Sequence, residues 1–256
     1  MLSKAVVRPP SANFAEGLTS VRLGLPVHAR AMKQHDAYCA ALEQCGLKLV
    51  RLEADQRYPD STFVEDAAVI TERGAILTRP GAPSRTGEVA AVREALRQFY
   101  STMSSIHDPW TLDGGDICEV GNHFFIGISE RTNQTGAHQL AEFLTTLDCT
   151  SSFVNIRDVK GILHLKSGLA YLGDNRLVVI DALSNRVEFR AYDLIVVSQQ
   201  EEYAANCVRV NDRVLVVAGY PELERRISEL GYQTIVLEMT EFQKMDGGLS
   251  CLSLRF

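Results

Sequence analysis

No stretch of this sequence is long or apolar enough to cross a bilayer as a helix. The longest apolar runs, such as Val214-Leu215-Val216-Val217-Ala218, are strand-sized, far short of the roughly 20 residues a spanning helix needs. The opening residues, Met1 to Pro10, lack the apolar centre of a secretory signal. Six cysteines, at 39, 45, 118, 149, 207 and 251, include no C-x-x-C pair and no Cys/His cluster at zinc-site spacing. The simpler account is reduced thiols in a cytoplasmic protein without a structural metal. Positive charge is in deficit: 26 Lys and Arg face 32 Asp and Glu, for a net charge of -6. That balance argues against nucleic acid as the main partner, because phosphate binding needs a basic face. It leaves open a small cationic ligand, which a few focused carboxylates can hold. No Ser/Gly-rich linker or low-complexity segment divides the chain, so residues 1-256 are expected to form a single domain.

What the chain does contain is a regular alternation of short strands and single helices. With 46% hydrophobic and 23% charged residues it can bury a substantial core. Residues 5-7 read as a buried strand, 26-45 as a helix stopped by Gly46, and 47-52 as a strand. Residues 63-70 read as an apolar strand interrupted by two acids, and 75-77 as another strand. Residues 87-99 are expected to be helical. Two strands follow within 117-128, separated by Gly121-Asn122, and then a helix over 132-147 with Asn133 as its cap. Strands are expected at 154-156, 169-172, 177-180, 192-197, 207-210, 213-217 and 234-237, with a helix at 221-230. The roughly five helix-bearing units recur about every fifty residues, inside the window that marks repeat architectures. No side-chain motif repeats with them.

Several residues carry possible chemistry. Cys251 follows Gly247-Gly248-Leu249-Ser250, and paired glycines let backbone turn and approach a ligand closely. The thiol reads either as a nucleophile facing a pocket or as a buried structural cysteine. His164, between Leu163 and Leu165, reads either as a satisfied core imidazole or as an acid-base partner for that thiol. Glu65 and Asp66 lie among Phe63, Val64, Ala67 and Ala68, so they either mark a solvated strand end or require a cationic partner. Asp113-Gly114-Gly115-Asp116 reads as a hairpin turn or as a second acidic patch, with Asp60 forming another. Arg85 and Arg131 sit beside glycine-rich or polar loops, where a planar guanidinium suits a carboxylate.

The ordered set Gly17-Leu18-Thr19-Ser20, Pro59-Asp60-Ser61, Phe63-Val64-Glu65-Asp66, Arg79-Pro80-Gly81, Arg85, Leu112-Asp113-Gly114-Gly115-Asp116, Arg131-Thr132-Asn133, Leu163-His164-Leu165-Lys166, Ala204-Ala205-Asn206-Cys207 and Asp246-Gly247-Gly248-Leu249-Ser250-Cys251 closely resembles the dimethylarginine dimethylaminohydrolase family. The resemblance runs in order from about residue 5 to the C-terminus. Each motif alone is weak and the series is specific. It departs from part of the family at Asp113, where some members carry Glu and others Asp.

The resemblance implies an α/β fold: a five-bladed α/β propeller of the pentein type, with pseudo-fivefold symmetry and a central pocket. It implies hydrolysis of methylated arginine to L-citrulline and methylated amine, without metal or organic cofactor. On this expectation Cys251 attacks the guanidinium carbon and His164 serves as acid and then base. Asp66 and Asp113 hold the guanidinium, and Glu65 supports that end or His164. Arg85 and Arg131 take the substrate carboxylate. Asp60 and the carbonyls of Leu18 and Met245 take the ammonium, with Asp246 beside them in the substrate-binding set. Exposed strand edges make a homodimer reasonable.

Overall fold

The computed structural model describes all residues 1-256. Its strands fall into five sheets of three. The first contains β1 (Lys4–Val7) and β2 (Lys48–Arg51), linked by α1 (His28–Gln44). The second is β3 (Ala68–Ile70), β4 (Ala75–Leu77), α2 (Val89–Leu96) and β5 (Met103–Ser105). The third is β6 (Ile117–Val120), β7 (His123–Ile128), α3 (Gln134–Thr146) and β8 (Thr150–Asn155). The fourth is β9 (Leu169–Gly173), β10 (Arg176–Ile180), the short α4 (Asp181–Ser184) and β11 (Asp193–Val197). The fifth is β12 (Val208–Val210), β13 (Arg213–Val217), α5 (Pro221–Glu229) and β14 (Gln233–Leu237). A short α6 (Thr240–Gln243) and β15 (Ser253–Arg255) complete the chain.

Each sheet repeats one plan. The middle strand pairs antiparallel with an inner strand and, after a helical crossover, parallel with an outer one. In the first sheet the inner strand comes from the other end of the chain: β15 pairs antiparallel with β1, in the register Val7↔Ser253. The ring is therefore closed by hydrogen bonds between the two termini. The five inner strands surround a central cavity of about 540 Å³, to which Ile70, Glu119, Tyr171, Arg209 and Arg255 each contribute from a different blade. This is a five-bladed α/β propeller.

The apolar runs follow from that plan. Leu177, Val178, Val179 and Ile180 in β10 are all at most 1% exposed, as expected of strands covered on both faces. The core is shared across blades: one cluster joins β6, β9, β10, β13 and α5 through Cys118, Leu172, Val179, Val216 and Leu223.

Three elements differ from the sequence expectation. Residues 63-70 do not form one strand: Val64–Ala67 is a 3-10 turn and pairing begins only at Ala68. The turn leaves the Asp66 carboxylate facing buried Arg85 and the Glu65 carboxylate facing half-buried Lys166, on two different sides. Strands β5 and β15 carry no clear alternation, and both exist because a neighbouring strand supplies their ladder. The helix at 132-147 does have its cap: the Asn133 side chain accepts from the Gly136 N–H at 2.8 Å.

Candidate active site

At one end of the propeller axis lies a narrow cleft of about 30 Å³, lined by Leu18, Asp60, Phe63, Asp66, Arg85, Arg131, Leu163, His164, Met245, Asp246, Gly247 and Cys251. Loops supply these residues from segments separated by more than two hundred positions. The larger axial cavity opens elsewhere and contains neither Cys251 nor His164. Residues Glu65, Lys166, Arg255 and Ser250 line that cavity and form an ionic network behind the loops that line the cleft. Lys166 Nζ lies 2.6 Å from Glu65 Oε1, and Ser250 Oγ donates to Glu65 Oε2 at 2.7 Å.

The Cys251 turn is shaped by contact. A Cβ on Gly248 would stand 2.5 Å from the Asn206 side-chain oxygen, and one on Gly247 2.3 Å from the Phe63 ring. Only hydrogen fits at either position, so these glycines serve close packing. The left-handed φ in this turn belongs to Asp246, at 56°. The Gly248 N–H points at Cys251 Sγ, 3.4 Å away. Cys251 is partly exposed as a residue, but burial of its sulfur, followed by the charges of Glu65 and Asp66, pushes the thiol up to about 12. The Gly248 N–H and Lys166 oppose that shift without overcoming it. The thiol is therefore held in its neutral form near neutral pH.

His164 is the opposite case. Burial alone would lower its pKa, but Asp66, the hydrogen bond to Asp113, and Asp116 together raise it to about 9. The imidazole is therefore protonated at neutral pH. Its Nε2 lies 2.9 Å from Asp113 Oδ2. Gly115 lets Asp66 and His164 converge: a Cβ there would meet His164 Nδ1 at 2.7 Å and Asp66 Oδ1 at 2.8 Å. Asp66 is buried with Arg85 Nη1 2.6 Å away. Burial pushes its carboxyl up, but the opposing charges of His164 and Arg85 outweigh that and hold it ionised.

Asp66, Asp113 and His164 offer ligand atoms within 4.8 Å of one another. The arrangement has the form of a cation site, yet the two carboxylates already face Arg85 and a protonated imidazole. A resident divalent ion fits that charge balance poorly; a flat organic cation that hydrogen-bonds to Asp66 fits better.

The structure places the remaining expected residues in three groups. Asp60, Arg131, Leu18, Met245 and Asp246 line the cleft. The Leu18 N–H donates to Asp60 Oδ1 at 3.0 Å. The carbonyls of Leu18 and Met245 accept no protein hydrogen bond, and neither does the Arg131 guanidinium donate one. Asp246 also accepts from Ser20 Oγ at 3.2 Å, tying the loop at Leu18 to Ser20 to the turn before Cys251.

Arg85 lines the cleft but is largely committed: it donates to Asp66, to Glu88 and to the carbonyls of Asp60 and Phe63. Of its five N–H groups, one on Nη1 remains for a ligand.

Glu65 and Asp113 lie outside the cleft lining. Asp113 is 0% exposed, and its carboxylate accepts from Gly81 N–H at 2.7 Å as well as from His164. In this structure the Asp113 carboxylate is directed at the His164 imidazole and the Gly81 N–H rather than into the cleft lining. Sequence reasoning gave no role to Asp116, Lys166, Asn206 or Ser250. Their only signal was membership of the motif strings, since no spacing rule links them.

Comparison with known proteins points to one family and the same fold. The family model described as N,N dimethylarginine dimethylhydrolase, eukaryotic, matches residues 24-251. The chain is 44% identical over 257 residues to the N(G),N(G)-dimethylarginine dimethylaminohydrolase of Pseudomonas aeruginosa, covering 100% of both chains. A crystal structure of the P. aeruginosa protein, a Cys-to-Ser variant complexed with citrulline, superposes with a TM-score of 0.97 at 43% identity over 100% of both chains. A His-to-Gly variant of dimethylarginine dimethylaminohydrolase, as an adduct with S-methyl-L-thiocitrulline, gives the same TM-score, identity and coverage.

Proposed function

Because the chain belongs to the dimethylarginine dimethylaminohydrolase family, we propose that it hydrolyses N(omega)-methylated arginines to L-citrulline and the methylated amine through a covalent intermediate on Cys251. The observation that carries this reading is that Cys251, His164 and Asp66, distant in sequence, line one cleft, where the surrounding carboxylates favour a protonated imidazole and a neutral thiol. A resting enzyme of that kind has its acid ready and its nucleophile idle. Binding of a guanidinium cation beside Cys251 offsets the negative charges that suppress ionisation, so the thiol releases its proton to solvent water when substrate arrives.

The steps then balance. The Cys251 thiolate bonds to the guanidinium carbon. His164 gives its proton to the dimethylamine nitrogen as that C–N bond breaks, leaving a cationic thiouronium on sulfur. Neutral His164 accepts a proton from water, and the hydroxide adds to the same carbon. The C–S bond breaks, citrulline forms, and the remaining hydroxyl proton returns to the thiolate. Asp66 anchors the head group, and Asp113 holds His164 in place. Arg131, with the spare N–H of Arg85, binds the substrate carboxylate. Asp60 and the Leu18 and Met245 carbonyls bind the ammonium.

Product analysis tests the reading. Dimethylarginine, monomethylarginine and arginine are offered in parallel, and citrulline, methylated amines and ammonia are quantified. Dimethylamine from dimethylarginine is the expected product; preferential ammonia release from arginine favours an arginine-deiminating activity and sinks the reading. Cys251→Ser is expected to reduce citrulline formation by about 10³-fold or more while the fold persists; unchanged turnover removes Cys251 as nucleophile.

Residues 1-256 constitute one catalytic unit on this reading, since the cleft draws on both termini. The six free cysteines support a reducing cytoplasmic setting, tested by fractionation of the native protein. The exposed outer strands support a homodimer, which a monomeric mass by light scattering at micromolar concentration would exclude.

A further inference from the structure

The turn that carries His164 is gripped from two sides by side chains that touch neither the cleft nor each other's partners. On one side stands Asp116, 0% exposed and without a cationic side chain in contact. Its Oδ1 accepts from the Leu165 N–H at 3.0 Å. Its Oδ2 accepts from Ser129 Oγ at 2.7 Å and Thr132 Oγ1 at 2.6 Å. Those hydroxyls in turn accept backbone N–H groups of Arg131, Thr132 and Asp113. One carboxylate therefore ties the Arg131 loop to the His164 turn.

On the other side stands Asn206, also buried. Its amide donates to the Lys166 carbonyl at 2.7 Å and to Ser250 Oγ at 3.0 Å. Its oxygen accepts from the Ser250 N–H at 2.9 Å. One amide therefore ties the same turn to the residue preceding Cys251. We propose that Asp116 and Asn206 are paired positioning residues that fix the His164 turn between the carboxylate-binding loop and the nucleophile loop. The proposal rests on the methylarginine-hydrolase reading and adds to it the parts that set its geometry.

The chemistry of each residue is dictated by its partners. The Ser129 hydroxyl already accepts two backbone N–H groups, which leaves it only its proton to offer, and it donates to Asp116 Oδ2, as the Thr132 hydroxyl does. The Leu165 N–H can only donate. Three donors require an acceptor with no hydrogen of its own, which is a carboxylate. An Asn at 116 would turn its NH2 group toward either Leu165 or the hydroxyls and lose that contact. It would also remove a negative charge that helps keep His164 protonated. Asn206 is the converse: two acceptors and one donor converge on it, and an amide matches all three. An Asp there would set a carboxylate against the Lys166 carbonyl.

The test uses the full-length protein with Asp116→Asn and Asn206→Asp. Three readouts are taken: the His164 imidazole titration by NMR, the pH profile of Cys251 alkylation by iodoacetamide, and kcat and KM for dimethylarginine. Asp116→Asn is expected to move the His164 titration to lower pH and to reduce kcat about 10- to 100-fold, by analogy with the hydrogen-bonded residues that orient metal ligands. Asn206→Asp is expected to move the alkylation profile to higher pH and to reduce kcat similarly.

Wild-type titration, alkylation and kcat in both variants, whatever happens to the melting temperature, would overturn the proposal. Should Asp116→Asn not fold, Thr132→Val removes one arm of the same clamp. It is expected to raise KM several-fold through the Arg131 loop, and an unchanged KM counts equally against the idea. If wild-type protein turns over no methylarginine, the functional reading fails, while the NMR and alkylation profiles still decide the clamp because neither requires turnover.

Discussion

His164 and Cys251 share one buried environment, and it acts on them in opposite senses. Low-dielectric surroundings disfavour charge on both, but nearby carboxylates reward a cation and penalise an anion. Two pH effects follow. Turnover is expected to fall as pH rises through about 9, where His164 loses the proton that the leaving amine needs; a kcat profile flat to pH 10 would contradict this. Alkylation of the free thiol is expected to be slow at neutral pH and to accelerate steadily into the alkaline range. A neutral-pH plateau in the iodoacetamide profile would contradict that.

His164 also links pH to stability. Its folded value lies above the ordinary imidazole value near 6.5, so its contribution is complete below that pH and is lost as pH rises through about 9. Asp113→Asn removes a carboxylate in contact with the imidazole and is expected to shift the alkaline fall in kcat to lower pH.

At the scale of elements, the loops between regular structures hold the chemistry while the blades hold the loops. The nucleophile turn has space for hydrogen alone at Gly247 and Gly248. Gly248→Ala is expected to destabilise by about 1–3 kcal/mol through overpacking and to reduce kcat more than tenfold, since Asn206 and the Gly248 N–H both locate the sulfur. Thermal melting and steady-state kinetics on the purified variant measure the two effects separately. The acidic 3-10 turn at Val64–Ala67 is the counterpart in the second blade. It sends Asp66 to the cleft and Glu65 to the ionic network behind it, two directions that consecutive residues on a strand would reach only by pointing through opposite faces of a sheet.

At the scale of the molecule, ring closure gives the C-terminal residues a structural role beside the proposed catalytic one. Strand β15 is the inner strand of a blade whose other strands come from the N-terminus, and Leu254 packs with Val6, Val64 and Val92. Removing residues 253-256 is expected to abolish cooperative unfolding, measured by calorimetry. Leu254→Asp is expected to cost about 3 kcal/mol or more, because an unpaired carboxylate would enter that cluster.

Sequence alone determined the alternation of strand and helix, the helix limits near Gln44 and Glu229, the apolar middle strands and the motif series that names the family. Those features depend on local periodicity and on residue identity, which a chain displays without folding. The tertiary structure decided which terminal residues complete the first blade, which acids line the cleft and which stand behind it, and which polar side chains bind the loops together. Asp113 and Asp116 are near neighbours in one turn yet reach different partners. Nothing in their spacing foretells that, because the partners arrive from loops at positions 81, 129-132 and 164-165, brought within hydrogen-bonding distance by the packing of the blades.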